Sequence, residues 1–167
     1  MASITQSHRT LDEDLLRPAP SLRVDTPVGE AIRKIVDAGL PALPVTKEDG
    51  TLVGLFGERE FMGALFPAYL GDLAYAGFVP HSLDAGIERR LNCVNETVER
   101  YINTEHVDVD EDYSDAELAE IFLHHRVLVV PVVDSERKPV GVVTRNDFFR
   151  TLVGHLSRRA EAKKNNV

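Results

Sequence analysis

An internal duplication constrains the fold of this chain more than any other feature. Shifting the sequence by 87 positions aligns residues 25–65 with residues 112–152 without a gap. The identical pairs are Asp25/Asp112, Glu30/Glu117, Pro44/Pro131, Val45/Val132, Val53/Val140, Gly54/Gly141, Phe61/Phe148 and Leu65/Leu152. Apolar character also matches at most other core positions, so the two copies are expected to share one fold.

Each copy predicts the order helix, strand, helix, strand, strand, helix, with a small three-stranded sheet. In the first copy these elements are a helical pattern at residues 11–16, a strand at 22–24, a helix from Thr26-Pro27 to Gly39, a hairpin of residues 42–46 and 51–56, and a helix from Glu58. In the second copy they are a strand at 107–109, a helix capped by Ser114, a hairpin of residues 127–133 and 140–143, and a final helix. We predict an α/β fold in which two pseudo-twofold-related copies cover each other and leave a cleft between them.

Three helices carry apolar residues at the spacing of one buried face. The residues are Ala31, Ile32, Ile35 and Val36 in one helix, Leu118, Ala119, Phe122 and Leu123 in the second, and Phe148, Phe149, Leu152, Val153 and Leu156 in the third. We expect each of these faces to contribute to the core.

The composition is that of an ordinary globular protein, with 43% hydrophobic and 28% charged residues. No apolar run is long enough to span a bilayer, and residues 1–14 lack the order of a signal peptide, which favours a cytoplasmic location. The single cysteine, Cys93, can form no internal disulfide and is expected to be a buried or incidental thiol. A formal net charge of −8 argues against general binding to nucleic acid or to an anionic membrane.

The turn Gly141-Val-Val-Thr-Arg-Asn-Asp147 joins an apolar strand to the final helix. Thr144 has the type and position of a helix N-cap, and Asp147 three residues later can reach back to it. The same helix start leaves backbone N–H groups that suit a phosphate, and a carboxylate beside them can accept hydrogen bonds from both hydroxyls of a diol. From these residues alone, helix capping and ribonucleotide binding both remain open.

Together these patterns resemble the tandem cystathionine β-synthase (CBS) domain pair, also called a Bateman module. The resemblance covers residues 11–65 and 98–156. It rests on Leu43-Pro-Val45, Val130-Pro-Val-Val-Asp134, the Val-Gly pairs that follow them, and the turn at 141–147. It implies two CBS repeats and an adenosine-ligand sensor, because members of the family bind AMP, ADP, ATP, S-adenosylmethionine or related molecules between their repeats.

The resemblance implies a ligand site in the second copy. The family motif Gly-x-x-Thr/Ser-x-x-Asp corresponds to Gly141, Thr144 and Asp147, with Thr144 on phosphate or ribose and Asp147 on the ribose hydroxyls. His125 and Arg126 stand where some nucleotide-binding members carry the basic groups that contact phosphate. The other implied ligand-binding residues are Arg145 and, as the lining of an adenine slot, Val109, Val127 and Val130.

The first copy departs from this motif. Gly57 stands where a hydroxyl side chain belongs, Glu60 replaces the shorter aspartate, and Ala38-Gly39 replaces the His-Arg pair. Gly57 can still cap a helix and Glu60 suits its first turn, so folding is satisfied without ligand chemistry. We expect one competent site and one degenerate site, in which Arg59 can substitute only in part.

The predicted organisation is a mobile N-terminus at residues 1–10, CBS repeat 1 at 11–65, a helical insert at 66–97, CBS repeat 2 at 98–156 and a basic mobile tail at 157–167. The insert is longer than a plain connector and rich in aromatic residues. It either adds to the core or forms a protein-contact surface or a lid. The tail is interpreted as a solvated end rather than a binding arm.

Metal binding and catalysis are disfavoured. His124 and His125 are adjacent and would point about 100° apart on a helix, unlike the i, i+4 histidines of a metal site. The acidic run at residues 108–112 lacks the glycine and terminal glutamate of a calcium loop. The sequence shows no catalytic serine motif, no phosphate-binding lysine loop and no paired catalytic carboxylates, so we expect no enzyme activity.

The leading hypothesis is a stand-alone regulatory module that binds an adenosine nucleotide and signals its occupancy to an unidentified protein partner in trans. The resemblance also implies a homodimer formed through helical faces. The main alternative is a ligand-free dimerisation or scaffold module, in which Thr144 and Asp147 only cap a helix. Binding to nucleic acid is a third hypothesis, disfavoured by the acidic charge.

Overall fold

The computed structural model describes Leu11, residues 15–66 and residues 83–165. Within these residues the chain divides into two compact units. The first-repeat unit contains Pro20–His106, and the second-repeat unit contains the described residues up to Ala19 together with those from Val107 onward. The predicted mobile N-terminus and residues 67–82 of the predicted insert lie outside the described residues.

From the first strand of each copy onward, the secondary structure follows the predicted order. Residues 12–14 of the helix predicted at residues 11–16 lie outside the described residues. The first-repeat unit contains β1 (Leu22–Arg23), α1 (Val28–Ala38), β2 (Ala42–Thr46), β3 (Leu52–Gly57), α2 (Glu58–Leu65) and α3 (Leu83–Arg90), followed by two 3₁₀ turns at Leu91–Asn95 and Val98–Arg100. The second-repeat unit contains β4 (Val109–Asp110), α4 (Asp115–His124), β5 (Val129–Val133), β6 (Pro139–Thr144) and α5 (Arg145–Asn165). The strands form two three-stranded sheets, β1-β2-β3 and β4-β5-β6, which confirms the predicted α/β fold class.

The two sheets are built alike. β1 is parallel to β2 and β4 is parallel to β5, whereas β2–β3 and β5–β6 are antiparallel hairpins. All five residues of β5 are buried, as its run of valines predicts, because a strand covered on both faces needs no polar side. In each unit a helix begins directly after the last strand, at Glu58 and at Arg145.

The outer edge of each hairpin is paired with a residue from a distant part of the chain. Arg17 pairs with Val142 on β6, and Asn103 pairs with Leu55 on β3. Two backbone hydrogen bonds form each bridge, with N···O distances of 2.8 and 2.9 Å for Arg17 and of 2.8 and 3.1 Å for Asn103. These bonds satisfy backbone groups that an edge strand would otherwise leave unpaired. The segment before β1 thus belongs to the second-repeat unit, which the order of the sequence repeats does not reveal.

Glycine permits this close approach in both units. A Cβ atom on Gly141 would lie 2.7 Å from the carbonyl oxygen of Arg17, and one on Gly54 would lie 2.7 Å from the carbonyl oxygen of Asn103. The Val-Gly pair of each repeat therefore makes room for the edge bridge, because any larger residue would push the two backbones apart.

The helix starts follow the sequence signals with one exception. The Ser114 hydroxyl accepts a hydrogen bond from the Glu117 N–H at 3.1 Å, and the Glu117 carboxylate accepts one from the Ser114 N–H, which confirms the predicted capping box. Thr26, at which the helix α1 is predicted to begin, is not the N-cap of that helix. Its hydroxyl accepts a hydrogen bond from the Arg23 N–H and closes a turn before the helix, which begins after Pro27.

The predicted apolar helix faces are buried only in part. The residues in the cores are Ala31, Ile35, Leu118, Phe122 and Phe148. The exposed members are Val36, Ala119, Leu123, Phe149, Leu152, Val153 and Leu156. Each face therefore contributes to a core as expected, but only through some of its residues.

The parts of the chain outside the repeats include two further helical segments. α3 contains the predicted helix of the insert, and α5 continues to Asn165, well beyond Leu156. Cys93 is buried in the 3₁₀ turn after α3, and burial raises the pKa of its thiol, which therefore stays protonated at neutral pH. None of the helices in the described residues is both long enough and apolar enough to cross a membrane.

Candidate functional site

The start of α5 brings Thr144 and Asp147 into direct contact. The Thr144 hydroxyl accepts a hydrogen bond from the Asp147 N–H at 3.1 Å and donates one to Asp147 Oδ2 at 2.6 Å. Thr144 is buried, and the Asp147 side chain is 17% exposed. Thr144 thus makes the predicted capping contact, and the same hydroxyl fixes the orientation of the Asp147 carboxylate.

A residue outside the predicted set completes this cluster. Arg17 Nε lies 2.7 Å from Asp147 Oδ2, and Arg17 Nη2 donates a hydrogen bond to Asp147 Oδ1 at 2.9 Å. The guanidinium group therefore engages both carboxylate oxygens, in the bidentate geometry that favours arginine–carboxylate pairs. The Arg17 side chain is 48% exposed, so water screens the pair and its contribution to stability is small.

The basic residues predicted to contact phosphate lie at the end of α4. His125 follows the last helical residue, and Arg126 comes next with a φ of 50°, in the left-handed region. Both side chains are exposed. Two residues further on, the Leu128 carbonyl accepts a hydrogen bond from the Arg145 N–H at 2.9 Å. This bond links the loop that carries Arg126 to Arg145, the first residue of α5. The Arg145 side chain is exposed.

The three valines predicted to line an adenine slot differ in exposure. Val109 and Val130 are 2% and 0% exposed and belong to the core of the second-repeat unit. Val127 packs against this core and is partly exposed. Of the three, Val127 has apolar surface that a ligand can contact, and the role of all three as slot lining stays a prediction.

The corresponding turn in the first-repeat unit has no room for a side chain at its central position. A Cβ atom on Gly57 would lie 2.3 Å from the Pro41 carbonyl oxygen and 2.5 Å from Ala42 Cβ. The Glu60 carboxylate accepts a hydrogen bond from the Gly57 N–H at 3.1 Å, so it caps α2, and Arg59 is exposed. The packing gives a physical reason for the missing hydroxyl, while the degenerate site itself stays a prediction.

The acidic run before α4 contains an ion pair. Asp108 accepts two hydrogen bonds from the Arg137 guanidinium at 2.7 and 2.8 Å, and these bonds raise the pKa of Arg137. Among the described residues, no three His, Cys, Asp or Glu side chains are grouped so as to hold a metal ion. The run therefore contributes a surface ion pair to the second-repeat unit.

Sequence reasoning missed Arg17 because 130 positions separate it from Asp147. The neighbouring Pro18 indicated only that a helix must end there. One signal was present: a glycine inside an apolar strand marks the close approach of another backbone. Gly141 carries that signal, but the sequence does not say which segment approaches.

Comparison with known families matches the CBS domain twice, at residues 13–67 and 98–154, which together make up more than half of the chain. A curated relative, the CBS domain-containing protein CBSX1, chloroplastic, of Arabidopsis thaliana, is 26% identical over 152 residues. The aligned region covers 84% of this chain and 60% of that protein. The chain spans between 24% and 60% of the length of the curated relatives that it matches.

Solved structures share the fold at low sequence identity. The CBS domain pair of protein MJ0100, in complex with 5′-methylthioadenosine and S-adenosyl-L-methionine, is 24% identical with a TM-score of 0.64, covering 87% of this chain and 98% of that one. CBSX2 in complex with AMP is 21% identical with a TM-score of 0.61, covering 84% of this chain and 94% of that one. With two matched repeats and the sheets that they form, this chain belongs to the CBS domain family and carries two CBS domains in tandem.

Proposed function

We propose that this protein is a regulatory module that binds an adenosine nucleotide, or a related compound such as S-adenosylmethionine, at the start of α5. The proposal depends on the Asp147 carboxylate, which Thr144 fixes at the first turn of a helix. A fixed carboxylate can accept hydrogen bonds from two ribose hydroxyls, and a helix N-terminus favours a phosphate. The CBS proteins solved with AMP and with S-adenosyl-L-methionine support adenosine compounds as the ligand class.

The backbone conformation of Arg126 supports a role in phosphate binding. The corresponding position in the first copy is Gly39, with a φ of 62°, and glycine adopts this conformation without steric cost. A residue with a Cβ atom costs about 1 kcal/mol or more there. An exposed arginine that costs stability, in a loop tied to the first residue of α5, fits a functional role better than a structural one.

We expect one or more of AMP, ADP, ATP and S-adenosylmethionine to raise the thermal unfolding midpoint of the purified protein. A ligand at about 100 times its Kd adds about 2.7 kcal/mol to the free energy of unfolding, or roughly 5 to 10 °C for a chain of this size. Asp147→Asn should remove the shift, because the amide offers one acceptor oxygen in place of two. GTP in the same panel tests whether the site prefers adenine to guanine.

Two further variants complete this measurement, one as a matched control and one as a test of Arg126. Glu60→Gln changes the corresponding position of the first copy and should keep the shift. Arg126→Gly should raise the unfolding midpoint of the ligand-free protein, because glycine adopts the left-handed conformation of this position without steric cost. It should also weaken AMP binding about tenfold, because a positive charge is lost. No shift with any adenosine compound, or an equal shift in Asp147→Asn, would contradict the proposal.

A ligand-free scaffold is the second candidate, because both oxygens of Asp147 already have protein partners. In that case Thr144 and Asp147 only start α5, and Arg17 only pairs with the carboxylate. Asp147→Asn would then lower the free energy of unfolding by about 1 kcal/mol, and no compound in the panel would change the midpoint.

We further propose that the protein forms a homodimer through helical faces and signals ligand occupancy to a separate protein partner. In the first-repeat unit, Val36 and Met62 are exposed and line a groove of about 550 Å³ with residues of α1 and α2. In the second-repeat unit, Leu123, Phe149 and Leu156 are exposed on α4 and α5. Exposed apolar residues grouped on helices favour a contact surface over a solvated one.

We expect light scattering of the purified protein to give the mass of two chains. Phe149→Asp should weaken the dimer at least about tenfold, because a charge replaces an apolar side chain that is 61% exposed in the single chain. Phe149→Leu, which keeps the apolar character, should remain dimeric. A monomeric wild-type protein would contradict the homodimer, and an unaffected dimer in Phe149→Asp would exclude this face.

A further inference from the structure

Arg17 is positioned by the fold and does not lie at Asp147 by chance. Its backbone forms both hydrogen bonds of the bridge to Val142, at 2.8 and 2.9 Å. Two residues earlier, Leu15 is 3% exposed and belongs to the core of the second-repeat unit. With the backbone fixed on both counts, the side chain reaches Asp147 from a rigid position. An arginine in a mobile segment would also lose backbone entropy on forming the same pair.

A ligand that binds both Asp147 oxygens through a diol must displace Arg17 from at least one of them, because Oδ2 already accepts from the Thr144 hydroxyl and lies on Arg17 Nε. Nε and Nη2 of Arg17 lie on Oδ2 and Oδ1, so neither oxygen is without a cationic donor. Among the described residues, Asp147 is the one acidic group that pairs with Arg17. A neutral nucleoside would therefore separate an ion pair and leave the guanidinium with water alone. A nucleotide brings an anionic group that can replace the carboxylate as the partner of Arg17.

We propose that Arg17 is a specificity-determining residue of this site, which makes it select phosphorylated over neutral nucleosides. Arg17 pairs with Asp147 in the free protein and moves to the phosphate when the ribose hydroxyls take its place. The inference rests on the proposed function, since it concerns ligands of the same carboxylate. It adds a second role for charge: Arg126 attracts the phosphate, whereas Arg17 disfavours any ligand that has no anionic group to pair with it.

The test compares the affinities of AMP and adenosine for the wild-type protein and for Arg17→Ala by calorimetry. Arg17→Ala should bind adenosine about threefold to fivefold more tightly, because no competing ion pair must separate. It should bind AMP about threefold more weakly, because a cation is lost. The ratio of the two affinities should therefore fall about tenfold. Arg17→Gln, which keeps much of the side chain, should show the same fall.

Arg23→Ala is the matched control. It removes another arginine that makes two contacts with an aspartate, Asp25, but in the first-repeat unit. It should leave the AMP to adenosine ratio unchanged. Arg17→Lys, which keeps the charge and loses the bidentate geometry, should give an intermediate ratio.

The outcomes separate this inference from the proposed function. A ratio that stays within about twofold of wild type in both Arg17→Ala and Arg17→Gln, with adenosine and AMP still bound, would overturn the role of Arg17 alone. Binding of neither compound to any of these proteins would overturn the inference, and it would overturn the proposed function as well if ADP, ATP and S-adenosylmethionine also leave the unfolding midpoint unchanged. Adenosine binding that appears only in the Arg17 variants would support both.

Discussion

Gly57→Ala is expected to lower the free energy of unfolding by about 3 kcal/mol or more, which makes it among the most damaging single-methyl additions in the chain. The added Cβ would lie 2.3 Å from the Pro41 carbonyl oxygen and 2.5 and 2.8 Å from Ala42 Cβ and Cα. The Pro41 carbonyl also accepts a hydrogen bond from the Glu58 N–H at 3.0 Å, which is one of the first N–H groups of α2. The clash therefore disturbs both the β2–β3 pair and the helix start.

Gly63→Ala is the matched control for this prediction. Gly63 lies in α2, and a Cβ atom there would have no heavy atom within 4 Å. The change should be neutral or should stabilise the protein by up to about 1 kcal/mol, because alanine favours the helix. Urea unfolding of both variants measures the difference. Equal midpoints for Gly57→Ala and wild type would show that the strands can separate without cost.

The same packing affects any attempt to rebuild a ligand site in the first copy. Thr144 stands in the second-repeat unit where Gly57 stands in the first, and each ends the last strand of its sheet. Replacing Gly57 with threonine would add the hydroxyl that the motif needs, but its Cβ would meet the same atoms of Pro41 and Ala42. A threonine at position 57 alone therefore cannot reproduce the turn at Thr144 without a clash.

The sequence was sufficient to predict the hairpins and the helices on either side of them, because each depends on local signals. Valine runs, the loops between them and the Ser114-x-x-Glu117 pair act over a few residues, and the structure has each of them in place. The burial of the helix faces was harder to predict, because the spacing of residues shows that a face is apolar but does not show what covers it. Val36 and Leu123 have the spacing of core residues and are 71% and 74% exposed.

In the candidate site, too, contacts between residues close in sequence could be predicted and contacts between distant residues could not. Thr144 and Asp147 were predictable, because their capping contact joins residues three positions apart. Arg17 was not, because its pair with Asp147 depends on an edge bridge between distant segments. The inability of Gly57 to carry a side chain was also hidden, since it follows from the approach of Pro41 in space. Long-range backbone contacts therefore decide whether the turn of a copy has room for a hydroxyl side chain.

Gly141→Ala is expected to lower the free energy of unfolding by about 2 to 3 kcal/mol and to change ligand selectivity as well. The new Cβ would lie 2.7 Å from the Arg17 carbonyl oxygen and 2.8 Å from Leu16 Cδ1. Leu16 can rotate away, but the Arg17 carbonyl is backbone and accepts a hydrogen bond from the Val142 N–H at 2.9 Å. The substitution should therefore displace the Leu16–Arg17 segment and separate Arg17 from Asp147.

Two measurements on Gly141→Ala distinguish this from a simple loss of stability. Urea unfolding reports the stability, and calorimetry at low temperature, where the folded form dominates, reports the AMP to adenosine ratio. Gly154→Ala is the matched control, because a Cβ atom there, in α5, would have no heavy atom within 4 Å. It should keep the wild-type affinity ratio and change the free energy of unfolding by no more than the helix preference of alanine. If Gly141→Ala loses stability but keeps the wild-type ratio, the edge bridge supports the sheet without positioning Arg17. If it loses both, the absence of a side chain at Gly141 links the fold of the second-repeat unit to the ligand selectivity that Arg17 provides.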